Sequence, residues 1–566
     1  MSTTTTSAIR SPTTPVSFSH ILQNHDKNKV ALIDGDKQYT YGQVNHRIDR
    51  FATELLALSC RRTTEDPLVA NHLGLQDLQE ERVALFLAAS LDYMTAMHGV
   101  WRAGGMVVPL HVAIVPTEIK YYLTCAGVRR VVSNTHCLPR EWSLPALCQE
   151  LDIELILVEQ VLAHNHDDDS PVLLPTTAID SNRRAMILFT SGTTSKPKGV
   201  VTTHKTICAQ ITTLVTAWAW TPDDVIPLFL PLHHIHGIIN ALSCALWAGA
   251  AVHVFTKFHV QQICEKVAEK SYTVFMAVPT IYVKILQYLD TLNDDSSDKD
   301  PSDSSQIQMQ KSSSICDGFR AMRLNVSGST ACPVSLFQKW QKYTGQTLLE
   351  RYGMTEIGMA LSNPYHGQRR AGCVGQPLPG VQVQLFHYDA EEQSSLQNQP
   401  ITETDVPGEI RIKGDNVFLE YWNDPEATRA SFKDEWFCTG DIAVLKSDCR
   451  YYKILGRSSI DIIKSGGYKL SALEIEGVLL THPQIAEVAV IGVPDDTWGQ
   501  VVMAFCCLSK ANTIDDNALI LEYDDLKAWC KDKMSSYKIP KQIKVLDALP
   551  RNAMDKVTKP LLNKMV

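Results

Sequence analysis

Between Glu81 and Val108 the chain alternates between unbroken apolar runs and amphipathic stretches. VALFLAA is continuously apolar; SLDYMTAMHGVWRAGG then carries apolar residues at helical spacing up to Gly104-Gly105, and MVVPL is apolar again. This pattern predicts strand, helix, strand. From Thr117 to Ser133 the sense repeats, with a helix over EIKYYLTCAG and a strand over VRRVVS. Apolar strands separated by amphipathic helices imply a mainly parallel sheet covered on both faces, the mark of an α/β fold.

The longest apolar stretch, Gly237 to Phe255, raises the question of a membrane span. Asn240, Ser243, Gly249 and His253 interrupt it and a Gly-Ala pair breaks it midway, so it reads as a buried helix followed by a buried strand. Residues 293–314 are polar, charged and nearly free of large apolar groups, which predicts a mobile insertion that cannot offset its ordering entropy. A boundary is expected near Gly456-Arg457. Beyond it, Ser471 and Glu474 form a capping-box pattern opening the helix ALEIEGVLL; two strands, a helix and a last strand then complete a small α+β unit. The expected organisation is a tail or weak presequence over 1–16, a large domain over 17–456 and a small one over 457–566.

A length of 566 residues calls for more than one hydrophobic core. The net charge of -9 gives no electrostatic reason to expect nucleic acid or an anionic membrane surface, so any basic site must be local. Fifteen cysteines lie without a C-x-x-C pair or zinc spacing, the usage of reduced, buried thiols in a soluble cytoplasmic or mitochondrial-matrix protein. The first sixteen residues are Ser/Thr-rich with one Arg and no acid, which suits a frayed tail or a weak mitochondrial presequence. No protein partner is implied.

Chemistry concentrates in five short segments. In the first, the apolar strand from Ile187 runs into Thr190, Ser191, Gly192, Thr193, Thr194, Ser195, Lys196, Pro197, Lys198 and Gly199. Glycines let a backbone approach an anion, hydroxyls and amides donate to it and lysines neutralise it, a set suited to a triphosphate. The order is not that of a Walker A loop, and a polar turn between strands explains the composition equally well. The others are Leu349-Glu-Arg-Tyr352-Gly-Met-Thr355-Glu356, Trp436 to Asp441 with Arg457 downstream, Ser459 to Leu470 with Lys464, Gly466 and Gly467 in it, and Pro550 to Lys559 with Lys556 in it. Each taken alone is an ordinary turn, cap or solvated lysine.

The five segments, in this order, resemble the adenylate-forming superfamily of acyl-CoA synthetases, luciferases and peptide-synthetase adenylation domains. The resemblance implies a large N-terminal adenylate-forming domain with parallel-rich sheets and a small mobile C-terminal α+β domain. It implies that Thr190 to Lys198 cradle the phosphates of ATP, that Tyr352 stacks on adenine and that Thr355 lies near the phosphates. Glu356 would hold Mg2+, Asp441 and Arg457 would bind the ribose, and Lys556 would be catalytic. Ser459 would be the hinge, and Lys464, Gly466 and Gly467 would line the CoA tunnel. Two positions depart from the family: Ser195 and Asp555 stand where it usually carries Gly.

Further segments, among them LHHIHGIINAL from Leu232 and MRLNVSGS from Met322, resemble the malonyl-CoA synthetase branch. A small diacid needs a cationic or hydrogen-bonding clamp for its remote carboxylate, because an unpaired buried charge is costly. His236, Arg323 and Ser329 are the candidates for that acyl pocket. The expected activity converts malonate, ATP and CoA to malonyl-CoA, AMP and pyrophosphate; methylmalonate is a related substrate. A ligase for short, medium-chain or aryl acids and a nucleotide-binding protein with lost activity are the alternatives.

Overall fold

The computed structural model describes residues 18–63, 77–163, 179–190, 197–293, 303–388, 399–466, 468–509, 521–551 and 556–566. The chain forms two compact units. The first comprises residues 1–259 with 354–358 and 415–429; the second comprises 260–353, 359–414 and 430–566. This division does not follow the boundary expected at 456/457.

The predicted strand–helix–strand is present in the first unit as Arg82–Leu85, Leu91–Arg102 and Met106–Pro109. Ser90 caps the helix by accepting from the Tyr93 amide, Asp92 lies in its first turn and Arg102 in its last, as the helix dipole favours. Pro116–Ala126 and Arg130–Ser133 complete the repeat. These strands lie in a seven-stranded sheet ordered Glu420–Tyr421, Lys198–Thr203, Arg184–Thr190, Met106–Pro109, Arg82–Leu85, Arg130–Ser133, Glu154–Leu157. Its central pairs are parallel, with Met106–Pro109 and Arg130–Ser133 buried throughout, while the Arg184–Thr190 and Lys198–Thr203 pair is an antiparallel hairpin. A four-stranded sheet stands beside it in the same unit.

The apolar stretch after Gly237 is a buried helix and a buried strand, as its interruptions require. A π-helix over His236–Ser243 runs into the α-helix Cys244–Ala248 and then the strand Ala251–Val254. All eight π-helical residues are buried, and among the described residues no helix is long and apolar enough to cross a membrane. The helix can start there only because residue 237 is glycine: a Cβ would sit 2.4 Å from the Pro231 carbonyl oxygen.

The second unit carries three sheets. Val274–Ala277, Leu324–Ser327, Leu349–Met354, Gly358–Ser362 and Gln376–Pro377 form one, with the first three strands parallel. In the next, Trp436–Leu445 is flanked by Gly408–Lys413 and Tyr452–Arg457. The last contains Ile462–Ser465, Tyr468–Ser471, Gly499–Leu508, Ile485–Asp495 and Gln542–Val545, with its own apolar clusters on Val490 and Phe505. Ser471 caps the helix Ala472–Leu479 as expected, but the reciprocal arm of the box is not made, because Glu474 pairs with Lys538 at 2.9 Å.

The insertion expected over 293–314 is corrected in its second half: Asp303–Ala321 is an α-helix. Its start is polar, but Ser312, Ile315, Cys316 and Phe319 recur at helical spacing and are buried. Phe319 meets Phe275 and Trp340 edge-on, and Gly318 lets the helix lie against the Val267 carbonyl, 2.1 Å from where a Cβ would be. The polar composition hid a stripe that begins near its end. Residues 294–302 lie outside the described residues.

Gly237→Ala should destabilise the protein by about 2 kcal/mol or more through overpacking at the π-helix start. Thermal unfolding of the variant measures it; an unchanged Tm would remove the steric reason for glycine there.

Candidate functional site

In the first unit, Thr190 and Lys198 face each other across the antiparallel hairpin that the hydroxyl-rich loop closes. Ser191, Gly192, Thr193, Thr194, Ser195 and Lys196 lie outside the described residues. The far end of the loop is tied down by the Tyr121 hydroxyl, which donates to the Pro197 carbonyl at 2.9 Å. Behind it, Gly199 allows close packing: a Cβ would be 2.9 Å from Ile187 and 3.2 Å from Trp422.

The same hairpin gathers two further groups. Tyr421 pairs with Val200 on the sheet edge, and its hydroxyl donates to the Glu356 carboxylate at 3.0 Å. The Lys198 ammonium lies 5.0 Å from the centre of the Tyr421 ring. Glu356 itself is buried in a turn fixed by the Phe418 amide, which donates to the Glu356 carbonyl at 2.7 Å. Asn416 donates to the Ile357 carbonyl at 2.7 Å, and Gln210 donates to the Asn416 carbonyl at 2.9 Å. Thr355 is in that turn, half-buried. Lys198, Tyr421 and Glu356 thus form one constellation of cation, aromatic ring and carboxylate. Tyr421 belongs to none of the sequence segments singled out; its two-residue edge strand, Glu420–Tyr421, is too short to carry a pattern.

His236 opens the π-helix and is buried, with the rings of His233 and His234 packed on each other just before it. π-Helical turns concentrate at functional sites, which suits the predicted role, although the geometry assigns it no ligand.

In the second unit, antiparallel pairing sets Asp441 directly opposite Arg457. The two side chains form an ion pair at 2.9 Å, and the Tyr352 hydroxyl donates to the other Asp441 oxygen at 2.6 Å. Burial raises the Asp441 carboxyl above its ordinary pKa, while Arg457 and the Tyr352 hydroxyl pull it down. A carboxylate has about four lone-pair sites, so two occupied directions leave acceptor capacity for paired hydroxyls.

Lys556 lies in the field of the same groups. Desolvation, then Arg351 and Arg457, lower its ammonium pKa, and Asp441 opposes them. Desolvation of the ammonium is the largest of these effects, ahead of the two guanidinium groups. Residues 552–555, including Asp555, lie outside the described residues.

Arg351 was not among the sequence candidates. It is fully buried in the strand Leu349–Met354, next to Tyr352, and desolvation lowers its pKa to about 10. Among the described residues no carboxylate is within ion-pair distance of it; it donates to the Ser329 hydroxyl at 3.4 Å, and its Nε has no acceptor. Ser329 follows the neighbouring parallel strand in the left-handed region, φ +73°, and Gly328 gives the guanidinium room, with a Cβ position 2.6 Å from its carbon. Ser329 and Arg351 are therefore brought together. Arg323 is not: it precedes the strand Leu324–Ser327, which separates it from Ser329, and its guanidinium lies 5.3 Å from the centre of the Tyr365 ring. Cys332, in the loop after Ser329, donates its amide to Glu350 at 3.0 Å, and burial raises its thiol pKa.

Ser459 is exposed in the turn following Tyr452–Arg457, a position able to absorb backbone rotation. Lys464 is exposed, with its amide held by Gln500 at 2.8 Å. Gly466 has φ +55° and donates to the Trp498 carbonyl at 2.8 Å, and a Cβ there would be 2.6 Å from the Trp498 ring. Trp498 is itself exposed, with Lys541 4.0 Å from its ring centre. Gly467 lies outside the described residues.

The sequence model of the family described as AMP-binding enzyme matches residues 67–422, and that of the AMP-binding enzyme C-terminal domain matches 474–556. A malonate–CoA ligase of Mus musculus, named as mitochondrial, is 40% identical over 557 residues, covering 95% of this chain and 89% of its own. A malonate–CoA ligase of Arabidopsis thaliana is 35% identical over 559 residues, covering 95% and 86%. The ATP-bound crystal structure of MatB from Rhodopseudomonas palustris matches with a TM-score of 0.77 at 29% identity, covering 97% of this chain and 98% of that one.

Glu350, beside Arg351, is fully enclosed, and burial raises its carboxyl pKa to about 7, against the amides of Cys332 and Gly372. The folded protein keeps this proton to about pH 7, whereas an ordinary glutamate releases it near 4.5. Folding thus binds a proton between those values, and stability falls by roughly 3 kcal/mol as pH rises from 4.5 to 7. Glu350→Gln should flatten that part of the pH–stability curve; an identical slope in wild type and variant would contradict the assignment.

Proposed function

The chain belongs to the AMP-binding enzyme family, and on that premise we propose that it is an AMP-forming malonate–CoA ligase. The observation that carries the choice of acid is Arg351: a buried guanidinium with no carboxylate beside it among the described residues, hydrogen-bonded to a serine. Burying a lone cation is expensive, and an anionic substrate that completes the pair repays the cost. The remote carboxylate of malonate is such an anion, with Arg351 and Ser329 as its clamp; His236 keeps the acyl-binding role that the family resemblance implies. Arg351 takes the counter-ion role for which Arg323 was the candidate. The relatives named as malonate–CoA ligases support the same acid.

Two half-reactions follow. In the first, a malonate carboxylate oxygen attacks the α-phosphorus of ATP, the bond to pyrophosphate breaks, and malonyl-adenylate forms. The loop from Thr190 to Lys198 holds the phosphates, Thr355 lies beside them, and Tyr352, Asp441 and Arg457 orient the nucleoside. Lys556 stabilises charge spreading over the carboxylate and the α-phosphate. The buried Glu356 carboxylate is a hard oxygen donor that would hold Mg2+, and the bound ion would supply neutralisation of phosphate charge. In the second half-reaction the CoA thiolate attacks the acyl carbon and AMP leaves.

Residues 457–566 act as a lid that turns about Ser459 between the two steps, withdrawing Lys556 and presenting the Gly466-Gly467 turn and Lys464 to CoA. The exposed Trp498 with Lys541 beside that turn offers a stacking face and a cation to a nucleotide. The mitochondrial names of relatives and the acid-free first sixteen residues support a matrix location, tested by the destination of a fluorescent fusion.

AMP release with malonate, methylmalonate, acetate and octanoate should be fastest with malonate at limiting acid. Arg351→Ala should raise KM for malonate roughly 10- to 100-fold, the size of a lost charge-assisted hydrogen bond, and affect acetate less. Preference for octanoate over malonate would reject the diacid pocket. Lys556→Ala should abolish pyrophosphate exchange into ATP while sparing thioester formation from supplied malonyl-adenylate; equal loss of both would refute the two-step role of the lid.

A further inference from the structure

Lys559 lies three residues beyond Lys556, and unlike an ordinary lysine near a chain end it is buried, at 9% exposure. Its ammonium is 2.6 Å from an Asp461 oxygen and 2.7 Å from a Glu476 oxygen. Both partners are fixed independently. The same Glu476 oxygen accepts from the Val490 amide at 2.8 Å, which ties the helix Ala472–Leu479 to the strand Ile485–Asp495. The second Asp461 oxygen accepts from the Arg457 amide at 3.0 Å, the Asp461 amide donates to the Arg457 carbonyl at 2.8 Å, and Ala472 donates to the Asp461 carbonyl at 2.8 Å. Gly456, at φ +127°, makes room for this: a Cβ there would be 2.4 Å from that of Asp461.

The chain around Lys559 is held as firmly. Thr558 donates to the Pro550 carbonyl at 2.8 Å, Val557 bridges Arg551, and Leu562 is fully buried against Phe505 and Ile491. Lys556 is thus the first residue outside a fixed segment. At the other end of the network, the Arg457 backbone is capped by Asp461 while its side chain holds Asp441. One carboxylate, Asp461, ties the base of Lys556 and the residue that orients Asp441 to a common frame. A buried ion cluster contributes little net stability compared with apolar packing, so geometric registration is its more economical role.

We propose that Lys559 is a positioning residue for adenylation, holding the Lys556 segment in register with Arg457 and Asp441 through Asp461 and Glu476. The inference rests on the reading of Lys556 as the adenylation lysine. Misplacing a charged group by about 1 Å can cost on the order of 100-fold in rate, so loss of the anchor should be felt as kcat in the step that uses Lys556. Thioester formation from a preformed adenylate does not use it.

The test compares Lys559→Met, Lys559→Arg, Asp461→Asn and Lys556→Ala in the full chain. It measures pyrophosphate–ATP exchange with malonate, thioester formation from supplied malonyl-adenylate and CoA, and thermal unfolding. Lys559→Met should lose roughly tenfold or more in exchange kcat, with KM for ATP and the thioester half-reaction within about twofold of wild type. Lys559→Arg, which keeps the charge, should recover most of the exchange rate. Should Lys559→Met not fold, Asp461→Asn carries the same expectation of unequal loss. Equal decline of both half-reactions in the variants that fold, or full exchange in them alongside an inactive Lys556→Ala, would overturn this inference alone. Full exchange in Lys556→Ala would overturn the reading of Lys556 and this inference with it.

Discussion

The second unit gathers positive charge around the Asp441 carboxylate. Arg351 and Arg457 both act on Lys556, and Asp441 opposes them. Burial alone lowers the Arg351 pKa, and burial followed by the two guanidinium groups lowers that of Lys556, so both cations are held at a cost that a bound anion would relieve. The imbalance suits reactants that carry the missing charge: a dicarboxylate and a nucleotide phosphate. It also separates tasks by solvation. Arg351 is sealed in a strand and suited to a fixed clamp, whereas Lys556 is exposed on a chain end and suited to a group that comes and goes.

Backbone register does much of the positioning. Asp441 meets Arg457 because their strands pair with those residues opposite each other, and Thr190 meets Lys198 in the same way. In both cases the side-chain partners are fixed before any side-chain energy is counted, since a slip by one residue would turn each to the opposite face. The turn carrying Glu356 is held differently, by amide and carbonyl bonds to Phe418 and Asn416.

What the sequence revealed divides along physical lines. The strand–helix–strand between 82 and 133 was legible because buried parallel strands and amphipathic helices each impose a period. The helix and strand after Gly237 were legible from where polar residues and glycines interrupt the apolar run. The helix Asp303–Ala321 was not, because its apolar stripe starts only near Ser312 and the polar lead-in dominates the composition. Arg351 escaped because its importance is a tertiary fact: nothing in Glu350-Arg-Tyr352 says which of two adjacent charged residues will face Ser329. Arg323 attracted the role by charge alone, and the length of one strand removes it. Tyr421 lies outside the recognised segments and Lys559 ends the last of them with no role assigned to it; only long-range packing reveals their partners.

Cys332 lies three residues past Ser329, and its thiol is buried and held protonated. Malonyl-adenylate is a mixed anhydride open to any sulfur nucleophile, and the reactive form of sulfur is the thiolate. A protein thiol kept in its neutral form is slow to be acylated. Burial of this one side chain therefore leaves it a packing group with little nucleophilic character.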